Sequence, residues 1–397
     1  MTHLKKTIVQ IVPRLDAGGA ERTTLEIAEA VTRAGGRAIV VTEGGRLGAE
    51  IEKIGGEIVL APVASKNPFT IWRNARWLAA LIKRENVDLI HARSRAPAWS
   101  AYLAKQAISV ALVTTYHGAY EESSAIKRLY NSSMLRGDRV IANSQFTADR
   151  IMGRTTGVNT VNQDRFAIIP RGVDLALFDS QKVAPSRVEA LIGQWKLGEN
   201  QGLKLLMPAR PSLWKGHETA LRAVRALKAA RPQTGPTGQG SLLTLVFCGG
   251  ANGKQDFDGR MRGLSEEFGV RDMVHWVGDC ADMPAAYAWA DIVLAPSTKP
   301  EAFGRVAIEA AAMGKPVIAA DHGGARETVV DGETGILCAP GDATALAEAI
   351  EKVQGMSTTD REAMSTSARV RAAQLYSSEA MCDATLEVYR ALLVERV

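Results

Sequence analysis

At 397 residues the chain exceeds what a single core usually holds, so two domains of roughly 100–200 residues each are expected. With 46% apolar and 23% charged residues it has the make-up of a folded soluble enzyme, and no apolar stretch reaches the ~18 residues a bilayer span needs. The net charge of +5 is uneven: residues 1–195 hold 26 Lys and Arg against 18 Asp and Glu, a balance of +8, whereas 196–397 hold 22 against 25, a balance of −3. The basic half should meet an anionic surface or substrate, but no helix-turn-helix, zinc or aromatic-stacking signature supports nucleic acid.

The run TIVQIVP (7–13), between Lys5–Lys6 and Arg14, reads as a buried strand and is too short for a signal peptide. Further apolar, often β-branched runs follow at 38–42, 57–62, 88–93, 112–118, 139–144 and 165–174, each separated by a helical pattern. Such runs are buried on both faces and imply a parallel βαβ sheet. A polar stretch near 180–202 reads as a linker. The pattern then restarts at 203–210, 242–250, 273–279, 291–297, 315–321 and 334–340, before a helical tail from about 342. The expectation is α/β: two doubly wound halves, 1–190 and 191–375, with a last helix over 376–397 packing back toward the first. RPQTGPTGQGS (231–241) reads as a mobile loop. Cys248, Cys280, Cys338 and Cys382 form no CxxC and read as reduced, buried residues of a cytosolic protein.

Ligands of open α/β sheets sit beyond the carboxyl ends of the strands, so a central cleft faced by both sets of ends is the expected site. Gly18 and Gly19 follow the first strand and permit close backbone approach at a helix start, unless they form a simple tight turn. They are not a GxGxxG fingerprint. Arg210 and Lys215 share a loop entering a helix. An Arg fork and a compact Lys charge suit two oxygens of a diphosphate, although a solvated pair of charges is the plainer reading.

In STKPEAFGRVAIEAAAMGKPVIA (297–319), Glu301 and Glu309 stand eight residues apart. A helix beginning near Ala302–Gly304 would leave the amides of Phe303 and Gly304 free and set Glu309 about two turns in, roughly 9–10 Å along the axis. One carboxylate could then hold a sugar hydroxyl and the other a ribose diol. Asp256-Phe257-Asp258 is a DxD in a polar helical stretch, and no metal is expected there.

The E-x7-E spacing resembles the signature of the retaining family-4 glycosyltransferases, whose GT-B fold pairs two Rossmann-like domains across a cleft. The resemblance extends over essentially the whole chain. It takes in GGAE at Gly18–Glu21, YHG at Tyr116–Gly118, ANS at Ala142–Ser144, GVD at Gly172–Asp174, Arg210 with Lys215, and DGxTG at Asp331–Gly335. It implies a nucleotide-diphosphate sugar in the C-terminal half and an acceptor in the N-terminal half. By the same resemblance Arg210 and Lys215 take the diphosphate, Glu309 the ribose and Glu301 the donor sugar. Gly18 and Gly19 would approach the diphosphate, and His117 would sit at the reaction centre. As a lone residue, His117 would read as structural.

Two departures stand out. The family often has Asn where Arg171 stands, and Pro-Glu where HGGARE has Ala325-Arg326-Glu327. Both variants resemble lipopolysaccharide-core transferases and imply an envelope glycolipid acceptor. The implied reaction is a retaining, metal-independent hexosyl transfer from a UDP- or GDP-sugar, with front-face attack. The alternatives are a nucleotide-sugar 2-epimerase and a catalytically idle binding protein of the same fold.

The helix over 67–87 is expected to bury Ile71, Trp72, Ala75, Leu78, Ala79 and Ile82, with Arg73, Arg76, Trp77, Lys83 and Arg84 at the side or opposite. It reads either as a crossover helix with a solvated basic face or as a contact with the anionic inner membrane surface. The second basic stretch, with Lys127 and Arg128, fits the latter. The expected location is therefore cytoplasmic and peripheral to the inner face of the membrane.

Overall fold

The structure is a computed structural model that describes residues 4–16, 18–118, 120, 123–153, 163–198, 202–230, 243–250 and 255–395. The loop expected over 231–241 lies outside them. Two compact units appear, one of residues 1–172 with 378–397 and one of residues 173–377.

The first unit is built on a seven-stranded sheet: β1 (Thr7–Ile11), β2 (Arg37–Thr42), β3 (Glu57–Leu60), β4 (Leu89–Ala92), β5 (Ala111–Tyr116), β6 (Arg139–Ala142) and β7 (Phe166–Ile168). All pairs are parallel, in the order β3-β2-β1-β4-β5-β6-β7. Helices α1 (Gly19–Arg33), α2 (Gly48–Lys53), α3 (Pro68–Glu85), α4 (Arg95–Ala107), α5 (Ala125–Asn131) and α6 (Gln145–Met152) connect the strands. The inner strands are mostly apolar because a parallel sheet covered by helices has little solvent face; β4 and β5 are buried at every position, whereas the edge strand β3 is exposed at both ends.

The second unit repeats the plan with β8 (Leu203–Pro208), β9 (Leu243–Cys248), β10 (Val274–Gly278), β11 (Ile292–Ala295), β12 (Val317–Ala320) and β13 (Ile336–Cys338), in the order β10-β9-β8-β11-β12-β13. Its helices are α7 (Pro185–Trp195), α8 (His217–Ala230), α9 (Gln255–Glu267), α10 (Met283–Trp289), α11 (Arg305–Ala312), α12 (Ala325–Thr328), α13 (Ala343–Gln354) and α14 (Thr358–Leu375). The last helix, α15 (Ser378–Val394), belongs to the first unit, where Met381, Leu386 and Tyr389 join the core that holds Leu25 and Ile27 of α1.

The division falls after Gly172 rather than near 190. The polar stretch read as a linker contains α7, and α7 is part of the second unit. Trp195 packs edge-on against Trp289 at 5.6 Å, and Arg187 grips Asp282 through two hydrogen bonds of 2.8 and 2.6 Å. One large aromatic and one bidentate ion pair anchor a helix whose other faces are solvated.

Helix α3 starts where Asn67 accepts a hydrogen bond from the Phe69 amide, with Pro68 in the first turn, and it stops at Asn86 in the left-handed conformation. Its buried face is Ile71, Asn74, Ala75, Leu78, Leu81 and Ile82. The expected face is thus rotated: Trp72 is exposed, stacking on Phe69 and under the Arg76 guanidinium, whereas Trp77 is half-buried against the core. Asn74 can be buried because its amide donates to the Pro62 carbonyl at 2.9 Å.

Candidate active site

In each unit the strand order reverses direction at one place, between β1 and β4 and between β8 and β11. Such switch points open a crevice beyond the carboxyl ends of the strands. The loops there carry most of the residues singled out from the sequence.

In the second unit, β8 leads through Arg210 to a single 3-10 turn, Leu213–Lys215, and then to α8. Gly216 is left-handed (φ +87°), and a Cβ there would strike the Pro296 carbonyl, so this turn packs directly on the loop after β11. The Thr298 amide donates to the Trp214 carbonyl at 2.7 Å and closes the two loops together. Across this junction Lys215 Nζ lies 2.9 Å from Glu301 Oε1, with both side chains about four-fifths buried. The Ser297 hydroxyl donates to the same carboxylate oxygen. The loop is tied behind by the Gly324 amide, which donates to the Glu301 carbonyl at 2.8 Å. That bond places the HGGARE segment behind the Glu301 loop.

Helix α11 begins at Arg305, not near Ala302, because Gly304 is its left-handed N-cap (φ +86°, ψ 66°). Glu309 is therefore one turn into the helix, about 6 Å along its axis, instead of two turns. Phe303 is buried, edge-on to Tyr376. The Phe303 and Gly304 amides have no hydrogen-bond acceptor among the described residues. Glu309 is held on both oxygens, by the Tyr287 hydroxyl at 2.8 Å and by Arg305 Nε at 3.3 Å. Burial, and then the Glu309 charge, push the Tyr287 phenol well above its usual range, so it stays a donor. Arg210 is exposed and makes no hydrogen bond or ion pair among the described residues. Asp256 and Asp258 lie in the first turn of α9, and among the described residues no group of three or more His, Cys, Asp or Glu could hold a metal.

The first unit collects a second set. Gly18 caps α1 in an extended conformation, with the Glu21 carboxylate standing against it at the helix start. His117 follows β5. Its Nδ1 lies 2.6 Å from Arg171 Nη2, and its buried Nε2 has no partner among the described residues. Arg171 also donates to the Gly19 carbonyl and, at 3.2 Å, to the Thr23 hydroxyl, tying the end of β7 to the start of α1. Behind them Arg93 is buried and donates twice to Gln10 Oε1, at 2.8 and 2.6 Å. His91 bonds Tyr389 and Thr115, both at 2.6 Å. Burial, and next the Arg171 charge, hold the His117 imidazole well below its usual range, so it is neutral.

Several motif residues support the local backbone. Ser144 of ANS caps α6 by accepting from the Thr147 amide at 3.0 Å. Asp174 of GVD accepts from the Ala176 and Leu177 amides, and Asp331 of DGxTG from the Leu337 amide. Ser297, Tyr287, Arg93 and Gln10 escaped sequence reasoning. Only Ser297, four residues before Glu301 on one short loop, carried a readable signal.

The basic surface residues are exposed: Arg73, Arg76, Lys83 and Arg84 on α3, and Lys127 and Arg128 on α5 beside Ile126 and Leu129, which are 81% and 60% exposed. Arg84 is not a free cation, because Glu85 binds it at 2.7 Å. No helix among the described residues is long and apolar enough to cross a membrane.

Two family models match the chain: "Glycosyltransferase Family 4" over residues 17–177 and "Glycosyl transferases group 1" over residues 193–371. The "D-inositol 3-phosphate glycosyltransferase" of Salinispora arenicola (strain CNS-205) is 32% identical over 271 residues; the match covers 63% of this chain and 57% of that relative's length. A crystal structure of a glycosyltransferase from Rickettsia africae ESF-5 superposes with a TM-score of 0.86 at 34% identity, covering 98% of this chain and 99% of that one. Anabaena Alr3699/HepE, crystallised in complex with UDP-glucose, shares the fold at a TM-score of 0.80 and 24% identity, over 97% of this chain and 100% of that one. The parallel sheets, the switch-point loops and the matches together establish that the chain belongs to glycosyltransferase family 4, with the GT-B architecture.

Proposed function

We propose that the protein is a retaining hexosyltransferase that moves a sugar from a UDP- or GDP-sugar to an envelope glycolipid acceptor, without a metal. The observation that carries this reading is the Lys215–Glu301 pair at the second unit's switch point, beside the exposed Arg210 and the unbonded amides of Phe303 and Gly304. Two cations and two free N–H groups on adjacent loops suit a diphosphate, and a carboxylate among them suits a sugar hydroxyl.

Heterolysis of the anomeric C–O bond leaves its electron pair on the diphosphate, and Lys215 and Arg210 stabilise that charge as it develops. The acceptor hydroxyl attacks from the same face and passes its proton to the departing phosphate oxygen. Glu301 steadies a donor hydroxyl while positive charge grows on the sugar. Glu309, already oriented by Tyr287 and Arg305, holds the ribose. The family resemblance assigns His117 of the first unit to the reacting centre, and the basic and apolar faces of α3 and α5 are assigned to the anionic membrane that carries the acceptor.

The test is a thermal-shift panel of UDP-, GDP- and ADP-sugars starting with UDP-glucose, the donor bound to the Anabaena protein of the same fold. A bound donor raises stability by RT ln(1 + [L]/Kd). Slow hydrolysis of the stabilising donor supports transfer, formation of its epimer supports an epimerase, and no stabilisation by any of the panel overturns the reading.

A further inference from the structure

We propose that Arg171 is a positioning residue that fixes the tautomer of His117, making the imidazole a hydrogen-bond donor through Nε2 and barring it from service as a general base. The inference rests on the transferase reading for what His117 touches, but its core is a statement about the resting protein.

The argument begins with a guanidinium, which only donates. Arg171 Nη2 lies 2.6 Å from His117 Nδ1, so Nδ1 must present a lone pair and the ring proton must sit on Nε2. Nε2–H is buried and has no acceptor among the described residues. A buried donor left unmet is costly and uncommon, and at the end of β5 it marks a group waiting for an oxygen.

Arg171 is itself held by the Gly19 carbonyl and the Thr23 hydroxyl of α1. One side chain therefore joins the ends of β5 and β7 to the glycine turn, and the ring cannot flip without breaking that junction. Among the described residues, the other charged or titratable groups acting on His117 agree with a neutral ring: Arg93 beyond β4 and His91 within β4, while the Tyr120 phenol meets the His117 backbone. A front-face transfer in which the leaving phosphate takes the acceptor proton needs no protein base there, so a donor is the useful form.

The experiment is ¹⁵N NMR of the full-length protein labelled at histidine, with the His117 signal assigned from His117→Gln. The expected wild-type spectrum shows Nε2 protonated and Nδ1 bare from pH 8 to pH 5. In Arg171→Met the ring should titrate within that range or mix tautomers, whereas Arg171→Lys should keep one tautomer. A wild-type ring protonated on Nδ1, or an unchanged ring in a folded Arg171→Met, overturns the proposal. Should Arg171→Met fail to fold, the wild-type titration alone decides.

With whichever donor sugar the protein turns over, Arg171→Met should lose at least about tenfold in kcat/KM at pH 8, and the loss should shrink toward pH 5, where a protonated ring again donates through Nε2. His117→Gln, which keeps a donor near Nε2, should outperform His117→Asn by about tenfold. Equal loss in both would point to a base and overturn the assignment. Failure of every donor sugar to react would overturn the transferase reading, while the ring spectrum would still decide the tautomer.

Discussion

The Lys215–Glu301 pair allows the structural and chemical work of one ion pair to be separated. At 2.9 Å the attraction is about 6 kcal/mol with an effective dielectric constant near 20, before desolvation is subtracted. Exposed pairs are worth about 0–1 kcal/mol, and stripping one partner from a buried pair costs about 3–5 kcal/mol. Side chains 18% and 21% exposed fall between these limits, so Lys215→Ala should destabilise by about 2 kcal/mol. In a unit of this size that lowers Tm by about 4–8 °C.

Lys215→Ala should also lower kcat/KM at least ~100-fold, the scale for losing one electrostatic stabiliser of the leaving group, and Arg210→Ala should do likewise. Glu301→Gln acts in the opposite sense on binding. It frees the Lys215 charge and removes a carboxylate from the diphosphate's surroundings, so UDP should bind several-fold more tightly while kcat falls. The double variant Lys215→Ala/Glu301→Gln should recover most of the lost Tm and none of the lost activity. Melting curves, UDP titration calorimetry and steady-state kinetics read the three quantities. Recovery of kcat/KM in the double variant would refute the reasoning, because Lys215 would then be only a structural partner of Glu301.

Glu309→Ala should mainly raise the donor KM, since a ribose contact is similar in ground and transition states; a fall in kcat at constant KM would mean that Glu301 and Glu309 have exchanged roles. Chelator should leave turnover nearly unchanged, and strong EDTA inhibition reversed by Mn²⁺ would end the metal-free reading. Burial, and next the neighbouring Lys215 charge, push the His217 imidazole down to about 4. The unfolded chain therefore binds the proton first, and stability should fall by about 3 kcal/mol as pH drops from 6.5 to 4. Urea unfolding at pH 7.5 and 4.5 checks this, and His217→Phe should flatten the difference. Vesicles rich in anionic lipid should bind the protein at low salt and release it at high salt, and Arg73, Arg76, Lys83 and Arg84 changed together to Ser should weaken that binding; indifference of the wild type would favour a soluble acceptor.

The strands were readable because burial on both faces leaves a continuous apolar run. The loops after them were readable because charge, glycine and spacing coincide there, as at Arg210–Gly216 and Ser297–Glu309. Contacts between distant segments were not. Nothing local says that Arg171 meets His117, 54 positions away, or that Tyr287 caps Glu309. The outward turn of Trp72 was hidden because a helix with apolar residues beyond its core stripe can be rotated by one residue with little change in pattern, and Asn74, buried through one hydrogen bond, belongs to the stripe it was left out of. The boundary after Gly172 was hidden because a polar composition says how much of α7 is wet, not which unit its one buried tryptophan joins.

In the resting protein, the charges at the two switch points are largely met from within. Lys215 holds Glu301, Glu309 is held by Arg305 and Tyr287, and the Glu21 carboxylate stands at the start of α1. On the proposed reading, binding a diphosphate sugar is an exchange of partners for these charges: what Lys215 and the two glutamates gain is offset by what they give up, and affinity reports the difference. Such a site gains little in the ground state, because Lys215 leaves a carboxylate to meet a phosphate. It gains more as the anomeric bond breaks, when the phosphate's charge rises and the carboxylate's does not, and that is the direction in which binding energy accelerates a reaction. Among the charged side chains, Arg210 differs, being exposed and without an internal partner among the described residues. It has nothing to exchange, so its contact should contribute to donor affinity as well as to the barrier, and Arg210→Ala should raise the UDP dissociation constant where Lys215→Ala leaves it nearly unchanged.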